Sequence, residues 1–327
     1  MRYILNNSYD PYHNLALEEY IFKGIGQRED FIILWQNQPT VLVGVHQNTI
    51  EEINLEYVKK NNINIVRRST GGGTVYQDLG NLNFSFITSY DENNLIDFKR
   101  YTIPVIKALD KLGINTKLSG RNDLTIDNKK FSGNAQSLCK GRILHHGTLL
   151  FNSDLEVLSK VLKVEKDKIQ SKGIKSVKSR VTNISDYLHK DIDINKFKEF
   201  LLENLFEEED LQEYCLTEKD IKSIKDLKEN KYMTWEWNYG KSPKFNLKNS
   251  KRFTNGKVEI LLNVNKGVIK NCKIYGDFLA LTNVNTLEQK IIGLKYQEEE
   301  LIKLLNSVNL KKYFGNISAQ EVLKCFF

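Results

Sequence analysis

The chain has 327 residues, more than the roughly 250 to 300 at which a single core stops growing, so we expect two domains. Its hydrophobic and charged fractions, 40% and 27%, are those of a globular protein and exclude extensive disorder. No apolar stretch approaches the roughly 20 residues that cross a bilayer, and the first residues lack a secretory signal pattern, so a cytoplasmic protein without membrane contact is expected. The net charge of +7 suits an anionic ligand or an acidic protein partner, and no nucleic-acid-binding signature is present.

Helix and strand signals are intermixed in the first part of the chain. Residues 13–23 carry apolar side chains at helical spacing, which predicts an amphipathic helix. Apolar and β-branched runs predict strands at residues 31–36, 40–45, 63–68, 73–78 and 82–87. The first two strands are separated by a short turn and predict a hairpin, and the third and fourth form a pair that flanks three glycines.

The next elements continue this mixture. They are a helix over residues 98–112, a hairpin over 123–133, a strand over 145–152, a helix over 155–162 and a basic loop over 171–184. The hairpin turns at Asp127 and Asn128, which places Lys130 just after the turn. Because the pattern lacks a βαβ rhythm, it predicts an α+β fold around a mixed, largely antiparallel sheet.

A turn-rich segment at residues 235–255 predicts a connection between domains. After it, residues 256–277 predict three short strands with Asn-Gly and Lys-Gly turns. Two helices follow, near residues 286–293 and 297–306. We therefore predict a catalytic domain over residues 1–245 and a small α+β accessory domain over residues 246–327.

Three adjacent glycines, Gly71, Gly72 and Gly73, form the first candidate site. Their amides are not shielded by a Cβ, so an anion such as phosphate could approach the main chain closely. The same run suits a simple turn or bulge, and it matches neither a Walker A loop nor the GxGxxG start of a helix. Arg67 and Arg68 precede it, and a guanidinium is suited to bidentate phosphate contact. The setting favours a phosphate-handling loop.

Lys130 lies in the small-residue segment KKFSGNA, where it is either a solvated charge or a site residue. Asp123 is a candidate ligand for Mg2+ beside phosphate oxygens, although an Asn-Asp pair also forms ordinary turns. His145 and His146 are adjacent on a predicted strand and face opposite ways, so they do not predict a paired metal site.

The cysteines are scattered without CxxC spacing, which argues against a zinc site and a disulfide framework. They are Cys139, Cys215, Cys272 and Cys325. Cys139 is near the other motifs and is a candidate acyl-accepting thiolate, but without an obvious general base it reads better as a small hydrophobe. The aromatic residues Trp235, Trp237 and Tyr239 predict an anchor of the connection to a core.

Four ordered segments closely resemble the lipoate-protein ligase A family. They are RRSTGGGTVYQDLGN at residues 67–81, SGRNDLTIDNKKFSGNAQ at 119–136, HHGTLLFN at 145–152 and SKGIKSVKSRVTNI at 171–184. The similarity extends through the C-terminal part. It implies a large catalytic domain of the biotinyl/lipoyl-transferase type and a small accessory domain. Proteins of this family join lipoate to ATP, giving lipoyl-adenylate and pyrophosphate, and pass the lipoyl group to a lysine of a carrier protein.

The resemblance implies roles for individual residues. Lys130 would be the catalytic residue, a fixed ammonium that neutralises charge as the carboxylate attacks the α-phosphate. Arg68 would contact the nucleotide phosphates. The full set expected to bind ATP and lipoate is Arg68, Gly71, Gly72, Gly73, Thr74, Val75, Tyr76, Asn81, Asn122, Lys130, Gly133, His146 and Gly147. ATP and Mg2+ would be the cofactors, with Asp123 as the candidate metal ligand.

One position departs from the family pattern, because Gln77 stands where members often have histidine. Glutamine can donate a hydrogen bond but cannot serve as an acid or base near neutral pH. The main alternative function is an octanoyl or lipoyl transferase of the same fold, which needs no ATP. The missing cysteine in GRNDLTID counts against it, and Cys139 keeps it open. A binding protein without turnover and a biotin-protein ligase are further alternatives.

The expected acceptor is an acidic lipoyl domain or the glycine-cleavage H protein, since the chain is basic. We expect the protein to act as a monomer. The accessory domain is expected to move between adenylation and transfer, with the turn-rich connection as hinge.

Overall fold

The computed structural model describes residues 1–25, 29–90, 97–162, 180–189, 192–205, 211–239, 246–265 and 267–327. The strands are β1 (Arg2–Leu5), β2 (Phe31–Trp35), β3 (Thr40–Val43), β4 (Asn64–Arg67), β5 (Val75–Gln77), β6 (Asn81–Ser89), β7 (Lys117–Ser119), β8 (Asp123–Ile126), β9 (Lys129–Cys139), β10 (Arg142–Leu150), β11 (Gln212–Glu213), β12 (Leu247–Phe253), β13 (Gly256–Asn265) and β14 (Val268–Gly276). The α-helices are Pro11–Lys23, Thr49–Glu52, Leu55–Lys60, Lys99–Lys111, Leu155–Val161, Ile194–Asn204, Glu218–Leu227, Trp235–Asn238, Asn285–Ile291, Glu298–Ser307, Leu310–Phe314 and Ala319–Leu323. Short 3-10 and π turns lie at Ser185–Tyr187 and Lys228–Tyr232.

An eight-stranded sheet forms the body of the N-terminal part, in the order β11-β1-β2-β6-β10-β9-β8-β7. The β11-β1 and β1-β2 pairs are parallel, and the remaining pairs of this sheet are antiparallel. The structure thus confirms the predicted α+β class with a mixed, largely antiparallel sheet. Within the described residues, no helix has the length and apolar character to span a membrane.

The centre of this sheet is buried on both faces. On β2, Ile32 and Leu34 pack in one apolar cluster and Trp35 packs in another. A strand covered on both faces reads as a continuous apolar run, which is the pattern that predicted it. The covering helices are Lys99–Lys111 and Ile194–Asn204 on the first face and Pro11–Lys23 on the second.

The first helix confirms its prediction and begins at a clear cap. The Asp10 carboxylate accepts a hydrogen bond from Tyr12 N at 2.9 Å, and a proline occupies the first turn. The expected exposed polar face is absent, however, because Glu18 and Glu19 are only 1% and 5% exposed. Because a buried carboxylate is costly without hydrogen-bond or ion-pair partners, this helix must make specific polar contacts in addition to apolar packing.

The hairpin predicted between the first two long strands is wrong. β2 lies in the large sheet, whereas β3 is the central strand of a separate sheet, β4-β3-β5. The strands on either side of the glycines, β4 and β5, both pair with β3 and not with each other. Turn residues mark a change of direction, but they do not specify which sheet the chain enters next.

The second hairpin is confirmed. β8 and β9 pair antiparallel, and the turn residues Asp127 and Asn128 have φ of 49° and 63°. Both residue types tolerate this left-handed conformation, which a two-residue type I′ turn requires.

The C-terminal part has its own sheet, β12-β13-β14, and its own apolar cluster, which includes Val258, Ile274 and Phe314. Residues 256–277 form two long strands instead of the three short ones predicted. The third strand of this sheet, β12, comes from the segment that was expected to be a connection. Both predicted C-terminal helices are present, and two further short helices follow them. The domain boundary stays a prediction, since residues 240–245 lie outside the described part, as do residues 171–179 of the basic loop.

Candidate active site

A cavity opens between the large sheet and the loop that joins β4 to β5. Strands β9 and β10 form its floor, while β5 and the glycine loop, residues 69–74, form its opposite wall. Its lining residues are Trp35, Leu42, Arg68, Gly72, Gly73, Thr74, Val75, Gln77, Asn83, Asn122, Lys130, Gly133, Asn134, Ala135, His146, Gly147 and Thr148. Most of the binding residues expected from the sequence therefore meet in one place.

Three of the expected binding residues do not line this cavity: Gly71, Tyr76 and Asn81. Tyr76 packs in an apolar cluster with Val41 and Ile53, because alternation along β5 turns it away from its cavity-lining neighbours. The Asn81 amide donates to Asn83 Oδ1 at 3.0 Å, so it supports a lining residue.

Lys130 stands at the mouth of the cavity with 38% of its side chain exposed. Its Nζ lies 2.7 Å from Asp123 Oδ1. The backbone is fixed on both sides, since Lys130 N donates to Arg180 O at 2.8 Å and Thr182 N donates to Lys130 O at 3.0 Å. An irregularity in the β8-β9 register falls next to it, the kind of feature that re-aims a side chain. The structure thus holds one ammonium at the cavity entrance.

Gly133 provides the space for that ammonium. A Cβ at this position would lie 2.9 Å from Lys130 Nζ and 3.1 Å from its Cε. Both distances are shorter than ordinary van der Waals contact, so any larger residue would displace the lysine end group. This explains a glycine in the interior of a strand, where it is otherwise unfavourable.

Arg68 is buried, with 4% exposure, and its guanidinium clamps the glycine loop. Nη2 donates to Gly71 O at 2.6 Å and to Gly73 O at 2.8 Å, and Nη1 donates to Leu42 O at 3.2 Å. Burial lowers the pKa of Arg68 to about 10, and the nearby Glu18 carboxylate opposes that shift. The side chain thus remains charged at neutral pH while its donors are engaged by the main chain.

Arg67 points to the other side of β4 and away from the cavity. Its Nη1 donates to Gly44 O at 2.8 Å and to Gln47 O at 2.7 Å, and its Nη2 donates to Thr49 Oγ1 at 2.6 Å. Trp237 Nε1 donates to Arg67 O at 2.8 Å and Tyr239 packs at the edge of an apolar cluster, which confirms the predicted anchor for these two residues. The prediction is wrong for Trp235, which is 52% exposed. Alternation along the strand separates the two arginines, so Arg67 is a structural residue.

Two of the three glycines contact the C-terminal part. Gly72 N donates to Phe278 O at 3.1 Å, with φ of 91° at Gly72. A Cβ on Gly71 would lie 2.7 Å from the same oxygen. A Cβ on Gly73 would meet nothing within 4 Å, and this glycine faces the cavity. Close approach of the C-terminal part therefore accounts for the glycines at positions 71 and 72.

The same C-terminal segment, residues 277–283, is held at several other points. The ring of His46 stacks on Phe278 with centroids 5.0 Å apart, and Leu138 N donates to Leu281 O at 2.6 Å. Leu279 packs against Phe98 and the cavity-lining residue Ala135. In this conformation the C-terminal part supports one wall of the candidate site.

Several lining residues were not expected from the sequence. They are Trp35, Leu42, Gln77, Asn83, Asn134, Ala135 and Thr148. Gln77 Oε1 accepts from Asn37 Nδ2 at 2.7 Å, and Gln77 Nε2 donates to Asn83 Oδ1 at 2.7 Å. The glutamine at the family's histidine position is therefore one member of a buried amide network. Strand alternation around the glycine motif could have identified Val75 and Gln77 as facing the same way.

The two histidines separate as predicted. His146 lines the cavity, whereas His145 stacks on Tyr101 across the sheet with centroids 4.7 Å apart. Burial lowers the pKa of His145 well below its usual value, so it is a neutral core residue. Cys139 does not line the cavity and packs at the edge of an apolar cluster. No group of three or more His, Cys, Asp or Glu side chains that could hold a metal occurs in the described ranges.

Known proteins match this chain along almost its entire length. A family model for the lipoyl protein ligase A/B catalytic domain matches residues 10–206, and one for the bacterial lipoate protein ligase C-terminus matches residues 242–326. The lipoate-protein ligase LplJ of Bacillus subtilis is 48% identical over 324 residues, covering 98% of each chain.

Solved structures agree. The crystal structure of P. falciparum LipL1 in complex with lipoate superposes with a TM-score of 0.79 at 28% identity, covering 94% of each chain. A bipartite lipoate protein ligase with its E2 lipoyl domain from Thermoplasma acidophilum gives a TM-score of 0.67 at 34% identity, covering 75% of this chain and 98% of that one. A lipoate-protein ligase A bound with ATP gives 0.64 at 31% identity, covering 73% of this chain and 98% of that one. Because the matches extend over both parts of the chain, the protein belongs to the lipoate-protein ligase A family.

Proposed function

We propose that this ligase condenses lipoate with ATP in the cavity described above and then transfers the lipoyl group to a lysine of a carrier domain. The observation that carries the proposal is the position of Lys130, whose ammonium stands at the mouth of a cavity walled by the glycine loop. Relatives with bound lipoate or ATP support the same substrates, and a relative described together with its E2 lipoyl domain supports the acceptor class.

The cavity lining suggests how lipoate is oriented. Trp35, Leu42 and Val75 supply apolar surface, whereas Lys130 supplies a positive charge at the entrance. The apolar chain of lipoate would lie against the former, because burying it is favourable, and its carboxylate would face the ammonium. This arrangement places the carboxylate where ATP can reach it from outside.

Lys130 then has a role in both half-reactions. In the first, a carboxylate oxygen attacks the α-phosphorus, the bond to the pyrophosphate oxygen breaks, and the ammonium neutralises charge on the reacting oxygens. In the second, the carrier amine attacks the acyl carbonyl, AMP leaves, and the ammonium stabilises the developing oxyanion. Holding both reactants in one cavity contributes further by proximity.

Arg68 would act mainly through the glycine loop. Its donors hold the Gly71 and Gly73 carbonyls, so the loop is ordered before a nucleotide arrives. The bonds to Leu42, Thr70, Gly71 and Gly73 use four of the five guanidinium N–H groups. Direct contact with phosphate, as the family resemblance implies, would use the second Nη1 N–H or replace one of these bonds. We propose that the open face at Gly73 receives the nucleotide phosphates.

Mg2+ fits this site as a companion of ATP. Magnesium commonly uses one or two carboxylates together with substrate phosphates, and Asp123 supplies one carboxylate beside Lys130. Asp123 Oδ1 accepts from the ammonium, and Oδ2 would be the oxygen that contacts the cation. Bound there, Mg2+ would neutralise phosphate charge, while Lys130 and the glycine loop position the reacting groups.

Replacing Lys130 tests the assignment, with the adjacent Lys129 as a matched control. The two lysines lie next to each other on β9 and face opposite ways, so both variants lose one positive charge from the same strand. Lys130→Ala should lower the rate of pyrophosphate release with lipoate and ATP by about 100- to 1,000-fold, leaving a measurable residual rate, and Lys129→Ala should retain the wild-type rate. Normal release by Lys130→Ala would refute the role of this residue.

Omitting ATP separates the ligase from the transferase alternative. With lipoate, Mg2+ and an acceptor lipoyl domain, we expect acceptor modification only when ATP is present. Modification at an equal rate without ATP would establish a transferase. A monomer in the cytoplasm remains our proposal for the working form, and light scattering of the purified protein tests the monomer.

A further inference from the structure

A buried chain of hydrogen bonds connects Glu18 to the glycine loop. His146 Nδ1 lies 2.9 Å from Glu18 Oε1, and His146 Nε2 lies 2.7 Å from Thr70 Oγ1. Arg68 Nε donates to the same Thr70 oxygen at 3.0 Å. Glu18 belongs to the first helix, far from the glycine motif in sequence, and no feature of the sequence had indicated it.

The partners distinguish the two ring nitrogens of His146. A proton on Nδ1 is donated to the Glu18 carboxylate, and Nε2, where it carries no proton, accepts from the Thr70 hydroxyl. The Thr70 oxygen then accepts from Arg68, so every group in the chain has a matching partner. The opposite tautomer would point a ring lone pair at a carboxylate, which is repulsive.

The carboxylate itself is tightly held. Ser85 Oγ donates to Glu18 Oε1 at 2.6 Å, and Trp35 Nε1 donates to Ser85 Oγ at 2.9 Å. Glu18, Thr70 and Ser85 are each at most 1% exposed. Because a buried carboxylate without partners is costly, this site is specific for an acidic side chain that accepts from His146.

We propose that Glu18 is a positioning residue for adenylation, acting through His146 and Thr70 to orient Arg68 and thereby the glycine loop. The inference rests on the proposed function, in which that loop receives ATP. Glu18 sits behind the cavity wall and does not itself line the cavity. Its effect reaches the substrate because Arg68 fixes the carbonyls of Gly71 and Gly73.

A double-mutant cycle between Glu18 and Thr70 tests the relay, since these two residues connect through His146. Glu18→Ala and Thr70→Val should each lower kcat/KM for ATP in pyrophosphate release by about tenfold. A loss of this size is typical when a residue that orients an active-site side chain, without contacting the substrate, is removed. If they act in one chain, the double variant should lose little more than either single variant. Glu18→Gln keeps an oxygen acceptor for His146 and should recover most of the loss.

Glu19→Ala is the matched control for helix stability. Glu19 is the next buried glutamate of the same helix, but it bonds to Lys23 and Lys231 instead of His146. It should lower the unfolding temperature while kcat/KM for ATP stays within about twofold of the wild type. A loss of about tenfold in kcat/KM for ATP in Glu19→Ala would overturn the relay. So would a double variant of Glu18→Ala and Thr70→Val in which the two fold-losses multiply.

Nitrogen NMR of histidine-labelled wild-type protein provides a readout that does not depend on folding of a variant. His146 should carry a proton on Nδ1, and an unprotonated Nδ1 would overturn the proposal. The two levels of inference are separable. If wild-type protein forms no adenylate, the proposed function fails. If the wild-type enzyme is active but the losses in free energy caused by Glu18→Ala and Thr70→Val add in the double variant, only the relay is refuted.

Discussion

Gly133 offers the most direct test of how the site holds Lys130, the proposed catalytic residue. The substitution Gly133→Ala adds one methyl group that would lie 2.9 Å from Lys130 Nζ and 3.1 Å from Cε. Carbon atoms in contact prefer about 3.5 to 4.0 Å, so the Cε atom of the lysine must move by about 0.4 to 0.9 Å. The backbone does not need to move, because the obstructing atoms belong to the far end of a flexible side chain.

The expected effect is therefore large on catalysis and small on stability. A displacement of about 1 Å at a reacting group can lower a rate by about a hundredfold, so we expect kcat of adenylation to fall by about tenfold to a hundredfold. Stability should stay constant or rise by up to about 1 kcal/mol, since alanine loses less entropy than glycine in a strand. Pyrophosphate release measures the first quantity, and chemical denaturation measures the second.

The double variant Lys130→Ala with Gly133→Ala provides the control. Without the lysine end group, the added methyl has lost the contact through which it acts, so it should cause no further decrease beyond that of Lys130→Ala alone. Wild-type kcat in Gly133→Ala would refute this reasoning. So would a second, independent decrease in the Lys130→Ala background, because it would show that the methyl group acts on something else.

Other predictions concern three residues that the structure places outside the cavity: Tyr76, Arg67 and His46. Tyr76→Phe should leave KM for lipoate and kcat within about twofold, since its ring packs in an apolar cluster outside the cavity; a KM increase above tenfold in pyrophosphate release would contradict that placement. Arg67→Lys should lower the free energy of unfolding in urea by about 2 to 4 kcal/mol, because a lysine cannot replace its fork of bonds to Gly44, Gln47 and Thr49, while KM for ATP stays unchanged. Burial lowers the pKa of His46 to about 3 in the folded protein, below its value of about 6.5 in the unfolded chain. The unfolded state binds the proton more strongly, so this residue's contribution is complete above pH 6.5 and is lost as the pH falls toward 3, by about 2 kcal/mol at pH 5. His46→Gln should flatten that part of the stability profile in urea titrations, and an identical slope in both proteins would contradict it.

Local signals predicted the elements that depend on neighbouring residues. The turn at Asp127 and Asn128 requires left-handed backbone, which these residue types tolerate, so the hairpin and the position of Lys130 followed from sequence. The first helix was likewise visible from its apolar spacing and begins after a capping Asp10. Alternation on β10 correctly separated His145 from His146.

Properties that depend on distant segments were not predictable in this way. The turn after β2 gives no information about whether the next strand joins the same sheet, so the expected hairpin was wrong. Trp35 and Asn83 reach the cavity because β2 and β6 lie beside β10 and β9 in the folded sheet. Glu18 became visible as a site component only when His146 was placed next to it.

The glycines of the loop have different contacts, although the sequence motif makes them look alike. Gly72 N donates to Phe278 O, so this amide cannot serve an anion while residues 277–283 remain docked. Gly73 faces the cavity in the same conformation, and Arg68 connects the two through its bonds to the loop carbonyls. If the C-terminal domain moves as the sequence predicts, one further amide becomes available to the nucleotide, without any change in the catalytic lysine. In that case Gly72 would couple the position of the accessory domain to the number of N–H donors that the loop presents, a role that the glycine run alone does not distinguish from a simple phosphate cradle.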